Sequence, residues 1–373
     1  HRFEKFEVHK VHLHFSNLVS TKISRRMLLL NCAVLPKLRP CARRSRCAER
    51  NFKMILTITP PEETALQAHL HKLRTQLHED PELSWQEHRT TRLVRRELEA
   101  LCLEPVPLGL PTGTAALLRG ALPGPTVGLR ADLDALPITE RTGAEFSSRV
   151  PGVMHACGHD IHMAALLGAA RLLAARREQL AGNVLFLFQP AEEAATGAMQ
   201  VLEQGLFRRV PMAGMLALHV WPGLAQGQLG VRSGAILSAV DSFEITVTGR
   251  GGHGSAPERA CNPIPAGAAL ASALTTLRAN DLPQAEPAVT AVTCIQAGTC
   301  NNVIPDRCIL LGTIRTFSAR TRAQAKARLE ALTAGIAAAW GCTAAVGWTD
   351  GTPALCNDAG LAAAMEHAAV SVF

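Results

Sequence analysis

Apolar and polar positions along this chain repeat with a helical period in some stretches and a strand period in others. Residues 63–77 carry a helix-compatible pattern. Leu93, Val94, Leu98 and Leu101 share one face at helical spacing, and Ser84 with Glu87 three residues on reads as a capping box opening that helix. Residues 126–130 predict a short strand. Residues 184–188 and 215–220 are continuously apolar, the signature of strands buried on both faces. Between the first two of these strands, residues 159–180 form a long Ala/Leu-rich pattern stopped by Gly182, a predicted helix. Strands alternating with helices point to an α/β domain with a mostly parallel sheet.

The pattern changes after about residue 236. Phe243, Ile245 and Val247 alternate with Glu244, Thr246 and Thr248, as in a half-exposed strand. A helix is expected over 263–278, strands over 289–295 and 308–315, a helix over 321–340 and a last strand over 343–348. The order β-α-β-β-α-β is that of a ferredoxin-like module. It predicts an insert at 236–347 within a domain built from 54–235 and 348–373.

Composition narrows the functional classes. The chain has 373 residues, of which 47% are apolar, enough for two cores. Mean hydropathy is +0.11, and no run of about 18 apolar residues appears, so no membrane span is expected. Residues 1–53 hold 13 Lys/Arg and 3 Asp/Glu, leaving 25 basic and 28 acidic residues in the body. The net charge of +7 therefore belongs to the leading segment, and nothing in the charge of the body points to nucleic acid. That segment reads as disordered or non-native. A targeting peptide and a metal role for His1, His9, His12 and His14 are the alternatives. Eleven cysteines, an odd number at irregular spacing, read as free thiols of a cytoplasmic protein.

Four chemistry-bearing strings fall at the ends of predicted elements. Arg130-Ala131-Asp132-Leu133-Asp134 follows the first strand, Gln189-Pro190-Ala191-Glu192-Glu193 follows the second, and His219 closes the third. Met154-His155-Ala156-Cys157-Gly158-His159-Asp160 opens the long helix. Ligands in open α/β sheets bind beyond the carboxyl ends of the strands, so the four can share one crevice. A thiolate, imidazoles and a carboxylate form the ligand set of a zinc-like ion, and of two adjacent glutamates one can bind metal while the other acts as base. Taken singly, each has a plainer reading: Asp132 and Asp134 as turn caps, Cys157 as a small buried side chain, Glu192-Glu193 as a solvated face, His219 as a core or surface residue.

The strings RADLDALP (130–137), MHACGHDIHMAALLGAA (154–170), FQPAEE (188–193) and GRGGHGSAP (249–257), in this order, resemble the N-acyl-amino-acid amidohydrolases, the dinuclear metallopeptidase group that includes hippurate and auxin-conjugate hydrolases. HEDPELSWQEH (78–88) and NVIPD (302–306) extend the resemblance. It implies that Cys157 bridges two divalent ions (Zn, Mn, Co or Ni), that His159 and His219 bind one, and that Glu193 binds the other. It implies Glu192 as general base, Asp134 as support behind the site, and Asn302 and Arg315 as holders of the substrate amide and carboxylate. It further implies a homodimer through the insert, with His253 reaching the partner's site to hold the oxyanion. Asn262 stands where the group often has Asp. The resemblance also implies a later segment with a fifth metal-binding His. His367, the one His after residue 348, sits in plain helix, and the expectation is a C-terminally incomplete chain that holds at most one ion firmly. The competing expectations are an inactive, metal-binding pseudoenzyme or fragment, an aminopeptidase or dipeptidase of the same fold, and a binding module whose basic arm, residues 1–53, touches nucleic acid or membrane.

Overall fold

The computed structural model describes residues 28–30, 54–56, 58–225 and 227–372. The basic segment expected to be disordered or non-native lies outside them except for β1 (Leu28–Leu30), which pairs antiparallel with β2 (Met54–Leu56). The chain divides into two compact units, residues 1–231 with 360–373, and residues 232–359.

The first unit begins with α1 (Pro60–Glu79). Its first turn holds two prolines and a capping box, in which the Thr59 N–H donates to the Glu62 carboxylate at 2.9 Å. The box expected at Ser84 and Glu87 does not form. Glu87 precedes α2 (His88–Ala100), but its carboxylate accepts from Thr112 Oγ1 at 2.7 Å and Ala191 N at 2.8 Å, while the Ser84 hydroxyl donates to Asp134 at 2.7 Å. Tertiary partners have taken both side chains from the local motif.

The sheet comprises β3 (Glu104–Val106), β4 (Thr114–Arg119), β5 (Leu122–Asp132), β6 (Ala181–Gln189) and β7 (Gly214–Ala217), in the order β3-β4-β6-β5-β7. Pairs β6–β5 and β5–β7 are parallel, whereas β3–β4 and β4–β6 are antiparallel. The parallel part is the one the alternation of strands and helices predicts. The antiparallel edge was not legible, because β3 is three residues long and β4 carries no period-two pattern. α3 (His159–Ala174) stops short of the expected Leu180. The carbonyls of Arg177 and Leu180 instead accept from Ala121 and Leu122, which closes the β4–β5 turn against the start of β6.

Burial explains the apolar run of β6. Val184, Phe186 and Phe188 pack with Leu73, Leu77, Val94, Leu98 and Met163 of the three helices. Leu185 and Leu187 face the other way, toward Leu117 and toward α4 (Gly197–Glu203) and α5 (Leu206–Arg209), through Val201 and Leu206. A strand covered on both faces needs apolar residues at every position.

In the second unit, β8 (Gly234–Leu237) is followed by β9 (Ala239–Thr248), β10 (Gly252–His253) and α6 (Pro263–Asp281). Then come β11 (Ala288–Ala297), β12 (Val303–Ile304), β13 (Arg307–Thr316), α7 (Ala319–Ala339), β14 (Thr343–Asp350) and β15 (Leu355–Asn357). The main sheet, order β11-β13-β9-β14, is antiparallel throughout and matches the ferredoxin-like arrangement; β15 pairs with β8, and β10 with β12. Phe243, Ile245 and Val247 pack on Leu270 and Leu274 of α6 and Leu329 of α7. The last helix, α8 (Ala359–Val372), counts with the first unit from Gly360 onward. Among the described residues, no helix is long and apolar enough to cross a membrane.

Asp241, 1% exposed, points inward from β9 and is held by the Arg322 guanidinium at 2.6 and 2.7 Å and by Lys326 at 3.1 Å. Burial alone would raise its pKa, but these cations hold its carboxyl below the ordinary range.

Two stability measurements follow from this packing. Phe186→Ala, at a fully buried position, should cost about 3–5 kcal/mol in denaturant unfolding. Arg322→Met should cost about 2 kcal/mol at neutral pH, the scale of hydrogen bonds to a charged group. Asp241 has a depressed pKa in the fold, so its contribution is complete above the unfolded value of about 3.9 and is lost as pH falls through the folded one. The deficit of Arg322→Met should therefore stay constant from neutral pH down to about 5 and shrink below about 4. A deficit that does not change with pH would remove the charge from the explanation.

Candidate metal centre

The carboxyl ends of β5, β6 and β7 carry the chain to the first turn of α3. Asp132 is the last residue of β5 and Asp134 follows two positions later; Glu192 and Glu193 follow β6, and His219 lies two residues past β7. Gly158 precedes α3 with φ of 87°, and a Cβ there would lie 2.5 Å from Val220 Cγ2. Glycine therefore lets the strand of residues around His219 come close to the helix start.

Cys157 Sγ lies 3.4 Å from His219 Nε2. His159, fully buried, donates from Nδ1 to the Asp134 carbonyl at 2.8 Å. Its Nε2 then faces Asp132 Oδ2 at 3.6 Å, Glu193 Oε1 at 3.8 Å and Glu192 Oε2 at 3.9 Å. Ligand atoms of Cys157, His159 and His219 lie within 4.8 Å of one another, as do those of His159, Glu192 and Glu193. His159 Nε2 thus belongs to both groups. It and Glu193 Oε1 are buried without a hydrogen-bond partner, a costly condition that a cation would relieve. A thiolate, imidazoles and carboxylates within this span fit divalent transition-metal ions.

The electrostatics favour a cation in the same place. The His159 and His219 rings beside it pull the Cys157 thiol below its usual range and outweigh burial. The Cys157 sulfur in turn raises His219. Burial would lower His159, but Asp134, the Cys157 sulfur and the nearby Asp132 carboxylate push it up to about 11. Burial, then the Asp132 charge, raises Glu192, which favours proton exchange nearer neutrality.

The loop carrying the two glutamates is tied down at several points. Asp134 accepts from Glu192 N at 3.0 Å through Oδ1, and from Glu193 N at 2.9 Å and Ser84 Oγ through Oδ2. Buried Glu87 accepts from Ala191 N, and Trp85 Nε1 donates to Thr196 Oγ1 at 3.0 Å. Trp85, Ala191 and Ala195 all have φ between 47° and 65°, left-handed backbone that persists only where surroundings enforce it. The adjacent glutamates emerge differently, the Glu192 side chain 41% exposed and that of Glu193 21%.

Sequence reasoning missed Trp85 and His162, read Glu87 only as part of a capping box, and placed Asp132 in a chemistry-bearing string without giving it a role. The Asp132, His159 and His162 ligand atoms form a third close group, with His162 Nδ1 2.7 Å from Asp132 Oδ1. The spacing of three between His159 and His162 in a helix was the available signal.

The remaining candidates lie in the second unit. The β10–β12 pair sets His253 opposite Val303. The Ser255 N–H donates to His253 Nδ1 at 3.2 Å, with the Ser255 hydroxyl 2.8 Å from the same atom, leaving Nε2–H as the donor side of the ring. Asn302 adjoins them, its carbonyl accepting from Gly254 N at 2.8 Å. Arg315 is exposed on β13, in register with Val240 and Val289, and is not part of that pair.

Known proteins resemble this chain in sequence and in fold. The chain is 41% identical over 297 residues to an N-acetylcysteine deacetylase of Bacillus subtilis, covering 79% of this chain and 78% of that one. It is 38% identical over 273 residues to an N-acyl-L-amino acid amidohydrolase of Geobacillus stearothermophilus, covering 72% and 73%. Its fold matches the crystal structure of a Bacillus subtilis protein described as a dinuclear metal binding peptidase from the M20 family, with a TM-score of 0.73 and 40% identity, covering 82% of this chain and 80% of that one. The profile of Peptidase family M20/M25/M40 matches residues 128–373, which include the carboxyl ends of β5, β6 and β7, the α3 start and every candidate ligand described above, and the chain belongs to that family.

Proposed function

We propose that this metal-dependent hydrolase cleaves the amide bond of N-acyl amino acids. The observation that carries the reading is the pair of buried, unpartnered atoms, His159 Nε2 and Glu193 Oε1, beside the Cys157–His219 contact. The names borne by the deacetylase and amidohydrolase relatives support the substrate class.

Cys157, His159, His219 and Glu193 are the residues that would hold two divalent ions. When bound, such ions polarise a carbonyl and make water acidic enough to attack at neutral pH. Glu192, more exposed than Glu193 and with its pKa raised by burial, takes the proton from the attacking water. It then returns that proton to the amine as the C–N bond breaks, so the products are a carboxylate and an amino acid. Asp134 fixes the backbone of both glutamates and, through its carbonyl, the ring orientation of His159. His253, its Nδ1 occupied by Ser255, offers Nε2–H to the developing oxyanion. Asn302 and Arg315 hold the substrate amide and carboxylate, the guanidinium suiting a carboxylate bidentately.

The reading includes a homodimer. β11 is an edge strand with Val289 56% and Ile295 49% exposed, an apolar edge that pairing across a two-fold axis would cover. His253 then serves the partner's site.

Glu192→Gln should retain metal by elemental analysis while kcat for N-acetyl amino acids falls by about 10²–10⁴. Glu193→Gln and Cys157→Ser should lose metal, and Cys294→Ser, a β11 control, should not. Equal metal loss in the two glutamate variants would sink their division of labour. Mixing His253→Ala chains with Glu192→Gln chains should restore part of the activity through hybrid dimers. Subunit exchange without recovery would exclude action across the interface.

A further inference from the structure

His219 has no regular structure to hold it. β7 ends at Ala217, and the neighbours Leu218 and Trp221 are 46% and 56% exposed, so the segment gains little from apolar burial. Yet its ring must stay in place for Nε2 to meet Cys157 Sγ at 3.4 Å. The ring takes its orientation from the next peptide group, because His219 Nδ1 donates to the Val220 carbonyl at 2.6 Å. What holds that peptide group is the question.

The answer lies one turn into α3. Val220 N–H donates to His162 Nε2 at 3.0 Å. His162 Nδ1 donates to Asp132 Oδ1 at 2.7 Å, and Asp132 Oδ2 is held by Arg130 Nη1 at 2.6 Å. Arg130 is anchored in turn by Gln189 Oε1 at 3.1 Å, so the chain of bonds runs from the ends of β5 and β6 to the loop after β7. Both partners dictate the same tautomer. A carboxylate can only accept, so Nδ1 carries the proton; an amide N–H can only donate, so Nε2 must be bare. His162 is 6% exposed, and its ring lies 4.6 Å from that of His219 and 5.4 Å from that of His159. Despite that proximity, both of its nitrogens are committed, which leaves it no lone pair for an ion.

We infer that His162 is a positioning residue: through the Val220 peptide it fixes the rotamer and the free Nε2 of His219, and Asp132 sets the His162 tautomer that makes this contact. The inference rests on the reading of His219 as a metal ligand. Its role is one step removed from the ion, and partners at that distance are typically worth about 10–100-fold in metal affinity.

Two near-isosteric variants separate the roles of its nitrogens. In His162→Gln the amide oxygen reaches the place of Nε2 and can accept from Val220 N–H. In His162→Asn the shorter side chain reaches Asp132 but not Val220. The probe is cobalt(II), titrated into the metal-free chain against a chelator of known affinity, with the thiolate-to-cobalt absorption recorded alongside. His162→Asn should weaken cobalt binding about tenfold or more and alter that absorption, while His162→Gln should stay within about threefold of the unaltered chain. His219→Ala is the control for the underlying reading. If His219→Ala binds cobalt as tightly as the unaltered chain, the ligand assignment has failed. If His219→Ala weakens binding while His162→Asn and His162→Gln behave alike, whether both tight or both weak, the positioning role is overturned and the ligand assignment stands.

Discussion

Asp134 is the carboxylate on which the candidate centre depends. It is 1% exposed, a burial that would be costly without partners, yet its two oxygens accept from two consecutive backbone amides and a serine hydroxyl. Burial alone would raise its pKa, but the His159 ring, the serine hydroxyl and the two amides hold it below the ordinary range, so it is a charged acceptor. The three bonds tie two parts of the chain to the end of β5: the Glu192–Glu193 loop after β6, and the segment between α1 and α2. Its own carbonyl receives the His159 ring. One buried residue therefore sets both the loop that bears the glutamates, through its carboxylate, and the face that His159 turns toward them, through its carbonyl.

The first turn of α3 is braced from the other side by a separate polar group. Asp160 accepts from Arg74 Nε at 2.8 Å and His78 Nδ1 at 2.9 Å, both from α1. An acidic residue at a helix start also suits the helix dipole. His159 is thus gripped by its own ring nitrogen and by the residue after it. The backbone strain at Trp85, Ala191 and Ala195 belongs to the same picture: two irregular loops kept in unfavourable conformations by directional bonds. Such rigidity matters for a site in which ligand atoms must remain within a few ångströms of one another with or without a cation.

Much of this was legible along the chain, and the particular residues show why. The run at 184–188 announced a strand covered on both faces because every position had to be apolar. Phe243, Ile245 and Val247 announced a one-sided strand because alternation follows directly from the pleat. The motif strings announced their convergence because strand ends in an α/β sheet meet at one edge. Ser84 and Glu87 misled for an equally definite reason. Their spacing satisfies a local rule, but Asp134 on one side and Thr112 with Ala191 on the other offer buried bonds that the local motif cannot match. The expected extension of α3 to Leu180 failed similarly, since the carbonyls of Arg177 and Leu180 are claimed by Ala121 and Leu122.

Local periodicity and residue chemistry by themselves determined the parallel strands and the long helices, the ferredoxin-like insert and which side chains could ligate or exchange protons. These depend on neighbours within a few positions, which the chain order contains. Only the tertiary structure decided that His159 Nε2 belongs to both ligand groups, that Glu193 is the more buried of two adjacent glutamates, and that His162 spends both nitrogens on Asp132 and Val220. Those outcomes turn on the direction of individual bonds between segments 30 to 60 residues apart. No pattern along the chain encodes such directions, because they are set when the strand ends, the helix start and the loop after β7 are packed against one another.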